Sequence, residues 1–271
     1  VPVGREAFGG TALDIALTGL LGGHSGAEID KGRANPNLLM GRLLYALGKA
    51  ADMRLVSVRG GLKDNAIPTA SYASVIVRDA ETSRAVCTEI EAAFRNEYRV
   101  TDAGICVTVT PGAESTPMDK VSTARTVTLL CCAPNGIQEM SADIPGLVQT
   151  SLNLGILTTD RDGVHATFSV RSSIDSQKRM LIDRLTALTE SLGGAVTVEG
   201  DYPGWEYAPV SPLRELMRDV FIEQYGREPV IAAIHAGLEC GLLISKLPGL
   251  DCVSLGPDID EIHTFREKLH I

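Results

Sequence analysis

Two stretches about 90 residues apart carry one signature: VIVRDAETS at 75–83 and FSVRSSIDS at 168–176. In each, Val-Arg closes an apolar run of strand type, a serine stands five residues beyond the arginine, and a long helical pattern follows. Self-similarity at a fixed period means that one supersecondary unit is used twice. The first unit is legible throughout. TALDIALT (11–18) alternates like a half-buried strand, and Leu38, Leu39, Leu43, Leu44 and Leu47 recur at helical spacing within 34–50. Strands are predicted at 54–60 and 70–78, a helix at 82–98 with Val86, Ile90, Ala93 and Phe94 on one face, and a strand at 104–111 closed by proline. The order is β-α-β-β-α-β. The second unit is predicted as a strand at 124–132, at most a short helix at 141–149, strands at 150–160 and 163–171, a helix at 176–192 and a strand at 194–200. The expected fold class is therefore α+β, with two ferredoxin-like repeats (about 10–111 and 124–200) pairing edge strands into one sheet.

From about 201 onward the pattern changes. DYPGWEYAP reads as a linker, SPLRELMRDVFIEQYG as a helix from Ser211 to Gly226, PVIAAIH (229–235) as a strand, 237–247 as a helix and LDCVSLGP (250–257) as a strand. Continuous apolar strands between helices belong to a covered α/β sheet. Seventy residues are too few to build one, so its other strands are expected outside this chain, which starts with Val rather than Met. Aromatics are only 4%, leaving Leu, Val, Ile and Ala to fill the core. A net charge of −9 argues against nucleic-acid binding, which needs clustered Lys and Arg. No apolar run approaches the ~18 residues of a membrane span. Six cysteines without a CxxC read as reduced thiols in a cytoplasmic protein.

Several residues have chemistry in view. His24, in GGHSG between a strand and a helix, is placed to donate to a developing oxyanion, or else caps a turn. Asn65 in GGLKDNAIP reads by itself as a turn residue. Arg171 ends a strand; its side chain is either solvated or a bidentate carboxylate clamp. His165 is a sheet residue. His235 and Glu239 stand four apart, but the helix is expected to start after His235, and one pair is too few for a structural zinc site. Gly237, at a strand-to-helix junction, offers backbone N–H groups and a helix dipole, so AIHAGLECGLL (233–243) reads as a substrate cradle rather than a metal site. His263, in an acidic loop, is either a metal ligand or a surface histidine.

The stretches LTGLLGGHSGAEIDKGRANPN, GGLKDNAIP, FSVRSSIDS, AIHAGLECGLL and GPDIDEIHTFREKL together resemble the di-zinc metallopeptidases related to carnosinase and acetylornithine deacetylase, and among them the Xaa-His dipeptidases. The resemblance implies that residues 1–200 are a lid, in a doubled form that mimics a lid dimer, and that 201–271 are the C-terminal part of the catalytic α/β domain. It implies that His24 polarises the scissile carbonyl, that Asn65, Arg171 and Gly237 hold the dipeptide, and that His263 is a zinc ligand. Two zinc ions per intact site, with other divalent metals as substitutes, and a homodimer belong to the same implication. The family's remaining ligands and general base lie on an N-terminal catalytic segment with an H-x-D motif, and none of the five histidines here begins one. The expectation is thus a fragment, inactive alone, of a dipeptidase. The alternatives are an inactive lid or binding module, or an N-acyl amino acid amidohydrolase of the same group.

Overall fold

Alternation in TALDIALT builds β1 (Thr11–Thr18), whose Leu13, Ile15 and Leu17 are buried while Asp14 and Ala16 stand on the other face. The computed structural model describes residues 1–233, 235, 239–260 and 266–270. After β1 come β2 (Gly23–His24), α1 (Pro36–Ala50), β3 (Met53–Gly60), β4 (Ala66–Ile67), β5 (Ser71–Val77), α2 (Ala80–Glu97), β6 (Cys106–Pro111), α3 (Lys120–Cys132), β7 (Gly136–Met140), β8 (Val148–Thr159), β9 (Val164–Ser172) and α4 (Asp175–Ser191). These elements make one α+β unit, Val1–Asp201, to which His235 also belongs.

Its seven-stranded antiparallel sheet has the order β6-β1-β5-β3-β8-β7, with β9 paired along β8. The helices pack on the face that carries Leu13, Leu55, Val75 and Leu154. Leu39, Leu43, Leu44 and Leu47 of α1, Phe94 of α2 and Leu130 of α3 complete that core. A smaller cluster, Leu152, Leu181 and Leu185 with Ala133, seats α4. Gly41 lets α3 come close to α1, because a Cβ there would lie 2.6 Å from that of Leu130.

Three expectations for the second half are corrected. Residues 124–132 are helical, not a strand. Asp119 caps α3 by accepting from Ser122 N at 2.6 Å, and Val127 and Leu130 then fall on the face toward the core. Cap and burial outweigh the β-branched composition. The short helix at 141–149 is absent; a loop with Pro145 leads into β8 at Val148. Residues 194–200 form no strand, and Val198 is half exposed. What recurs is α-β-β-α: α1-β3-β5-α2, with the two-residue β4 inserted between β3 and β5, and α3-β8-β9-α4, with β7 inserted between α3 and β8. Asp119→Ala is expected to cost ~1 kcal/mol, seen as a lower urea midpoint at unchanged slope; an unchanged midpoint refutes the cap.

The described residues from Tyr202 onward, His235 apart, form a second unit. It holds α5 (Pro212–Tyr225), α6 (Glu239–Lys246) and the two-residue pair β10 (Ile259–Asp260) with β11 (Lys268–Leu269). Caps act as expected: Ser211 Oγ accepts from Arg214 N at 3.1 Å, and Gly226 ends α5 at φ 66°. Asp251 reinforces that start by accepting from Leu213 N at 2.9 Å. The strands expected at 229–235 and 250–257 do not form among the described residues, and Val230 and Leu255 are exposed. Extended backbone gains ladder hydrogen bonds only beside a neighbouring strand, and neither segment has one among the described residues.

Candidate active site

The loop between β1 and α1 is held at both ends by one buried carboxylate. Asp102 accepts from Leu21 N at 2.9 Å and from Ala34 N at 2.9 Å. Within the loop, β2 pairs with β4 so that His24 lies opposite Ala66, and Ser25 N donates to Asn65 O at 3.0 Å. His24 and Asn65, 41 residues apart in sequence (65 minus 24), thus become neighbours with exposed side chains. The Asn65 loop is held from below. Buried Asn153 of β8 donates to Asp64 O at 3.2 Å and Ala66 O at 2.8 Å, and itself accepts from Asn35 at 3.1 Å.

His24 has one assigned tautomer. Its Nδ1 accepts from Gly26 N at 3.1 Å and Ala27 N at 3.0 Å. A neutral imidazole that accepts at Nδ1 carries its proton on Nε2. Burial lowers its pKa from the ordinary value, Arg171 lowers it further, and Glu28 opposes both. The ring is therefore a neutral Nε2–H donor near pH 7, the form suited to an oxygen that gains negative charge.

Arg171 pairs with Ser151 across the β8–β9 ladder, which aims both side chains to the same side. The two elements meet the His24 loop at Gly26. A Cβ at Gly26 would lie 2.9 Å from His235 O, 3.1 Å from His24 Cε1 and 3.3 Å from Arg171 Cζ, so glycine is what lets these groups converge. Ser151 Oγ is 2.7 Å from His235 Nε2. His235 also bonds to the Val148 backbone in a way that favours its charged form, so the ring donates there and accepts the Ser151 hydroxyl proton at Nε2. The pair has the polarity of a nucleophile and base, but Ser151 is 0% exposed and reaches no substrate carbonyl. Its hydroxyl orients the histidine. Arg171 Nε and Ser25 Oγ are buried without a hydrogen-bond partner among the described residues.

Residues 15–102 match the peptidase dimerisation domain. The chain is 34% identical to cytosol non-specific dipeptidase of Escherichia coli over all of its length and 56% of that protein's. The crystal structure of aminoacylhistidine dipeptidase from Vibrio alginolyticus superposes with a TM-score of 0.93 at 33% identity, over 99% of this chain and 56% of that one. The chain is similar to both proteins over nearly all of its own length. It spans little more than half the length of either. Among the described residues no group of three or more His, Cys, Asp or Glu could hold a metal ion. The six cysteines are free, and no helix among the described residues is long and apolar enough to cross a membrane.

Of the residues singled out from the sequence, the structure brings His24, Asn65 and Arg171 to one place. Gly237 and His263 lie outside the described residues. His165 is an exposed sheet residue bonded to Asp160 at 2.8 Å. The helix does start after His235, at Glu239. Sequence reasoning missed Ser151, Asn153 and Asp102, each a lone polar residue that no local motif marks. It considered His235 only as a metal ligand. Burial, chiefly, and Arg171 push that imidazole from 6.5 to about 4. A histidine whose pKa falls on folding stabilises fully above its unfolded value, and the contribution is lost as pH falls toward the folded one. Stability is therefore expected to decline between pH 6.5 and about 4, more steeply than in His235→Gln; equal slopes in urea titrations across that window refute the assignment.

Proposed function

We propose that the full-length protein is a metal-dependent dipeptidase acting on Xaa-His dipeptides, with Val1–Asp201 as its lid and the residues from Tyr202 onward as part of its catalytic domain. The observation that carries this reading is the convergence at Gly26 of a neutral Nε2–H donor, His24, with the Arg171 guanidinium. One group suits the carbonyl oxygen of a scissile peptide, the other the free carboxylate of a short substrate. A dipeptide places those two features a few bonds apart. Asn65 borders the same place and holds the substrate from the other side; Gly237 gives it backbone contact. The recurrent α-β-β-α segments support a lid built by duplication, and the dimerisation-domain match supports a homodimer.

The ion we propose is zinc, two per active site, with His263 as this chain's ligand. When bound, the ions supply an acidified water as nucleophile. The residues described here do three things around it: His24 stabilises the oxyanion, Arg171 orients the substrate, and the buried Asn153 and Asp102 bonds keep both loops in place. A cytoplasmic location agrees with the free cysteines and with the name of the E. coli relative. The test is a substrate panel on the metal-loaded full-length protein. Cleavage of Xaa-His dipeptides and not of N-acyl amino acids is the expected result. Deacylation alone would move the protein to the amidohydrolases of the group, and binding without turnover would make it an inactive binding module.

A further inference from the structure

The loop that carries His24 contains an ion pair whose bonds go to the backbone of that residue and of Gly22, on either side of Gly23. Glu28 Oε2 accepts from His24 N at 2.8 Å, and its Oε1 lies 3.1 Å from Arg33 Nη1. The same Arg33 nitrogen donates to Gly22 O. Gly23 stands between, at φ 141°; a Cβ there would lie 2.8 Å from Glu28 Oε2 and closer still to the Arg33 guanidinium. Only glycine lets the pair close over the chain. Glu28 N completes the turn by donating to His24 O at 3.0 Å. An exposed ion pair by itself contributes little. This one is half-buried, and its partners are peptide groups rather than a second surface side chain.

We propose that Glu28 and Arg33 are positioning residues for His24: together they clamp Gly22–His24 so that the imidazole Nε2–H keeps a single direction. The inference rests on the reading of His24 as the oxyanion donor. The ring is already held at Nδ1 by the amides of Gly26 and Ala27, but those amides belong to the same short turn and move with it. The carboxylate fixes the turn to the β2–β4 ribbon instead. The His24 N–H bond, ahead of Arg33, keeps the Glu28 carboxyl below the usual range, so the clamp is ionised at neutral pH.

The test uses dipeptide hydrolysis by the metal-loaded full-length enzyme. Glu28→Ala is expected to lower kcat about tenfold or more at nearly constant KM, because a ~1 Å misplacement of a reacting group can cost a hundredfold. Glu28→Gln keeps an acceptor for the His24 N–H and loses the ionic partner, so its loss is smaller. A residue that acts through His24 has nothing to act on once the ring is gone. In a His24→Ala background, Glu28→Ala therefore causes no further loss. If His24→Ala is crippled while Glu28→Ala keeps normal kcat, or if the two losses multiply, the positioning role is overturned and the role of His24 stands. Normal kcat in His24→Ala overturns both. Should Glu28→Ala fail to fold, Arg33→Lys carries the same comparison: it keeps the charge and loses the fork.

Discussion

In the proposed full-length dipeptidase, His24→Ala is expected to lower kcat by about a hundredfold or more and to leave KM nearly unchanged. A preorganised donor to an oxyanion contributes ~3 kcal/mol to the transition state and little to the ground state. The tautomer and charge of the ring agree with such a role. The proton sits on Nε2 because Nδ1 is occupied by two backbone amides. The ring is neutral because burial and Arg171 lower its pKa, so no proton has to be shed before the donor works. His24→Gln, which offers an amide N–H on a chain without the Nδ1 anchor, recovers only part of the rate. A His24→Ala enzyme whose loss appears in KM with kcat intact would show a substrate-binding histidine and no oxyanion donor.

On the same proposed reading, Arg171→Lys is expected to raise KM for a dipeptide by about thirtyfold or more, since a bidentate charge-assisted pair contributes ~2–3 kcal/mol and an ammonium cannot reproduce the fork. A C-terminally amidated dipeptide, which has no carboxylate to offer, is equally poor with either enzyme. Arg78 is the internal control. It occupies the equivalent point of the first half, but its guanidinium lies 4.5 Å over the ring of Phe8. The neighbouring Asp79 does not engage it either; that carboxylate caps α2 through Glu81 N and Thr82 N. Arg78→Lys is therefore expected to leave KM for both substrates where it was. Equal losses from the two substitutions would make both arginines structural and send the search for the carboxylate clamp to Gly237.

Much of the first half is readable because its signals are local. Alternation in 11–18 and leucine spacing in 34–50 each report which face of an element is apolar. Ser211 and Gly226 bound α5 because a cap acts within one helical turn. At α3 the deciding signals are not local to its composition: that composition favours a strand, and the cap at Asp119 with the α1 surface decides otherwise. The strands expected at 229–235 and 250–257 failed because an apolar run records willingness to be buried, not the presence of a partner strand.

The site divides along the same line. Sequence alone determined that His24 lies in a glycine-rich loop, that Arg171 ends a strand repeated in outline at Arg78, and which family the motifs resemble. Only the tertiary structure decided that His24 and Arg171 share a place beside Gly26, that Ser151 orients a histidine 84 residues away, and that Asp102 and Asn153 hold the two loops. The physical reason is range. Periodicity and capping are set by neighbours within a turn or two of the chain. A contact between β9, the β1–α1 loop and His235 depends on the register of β8 with β9 and on the close approach that Gly26 permits, and no short stretch of sequence states either.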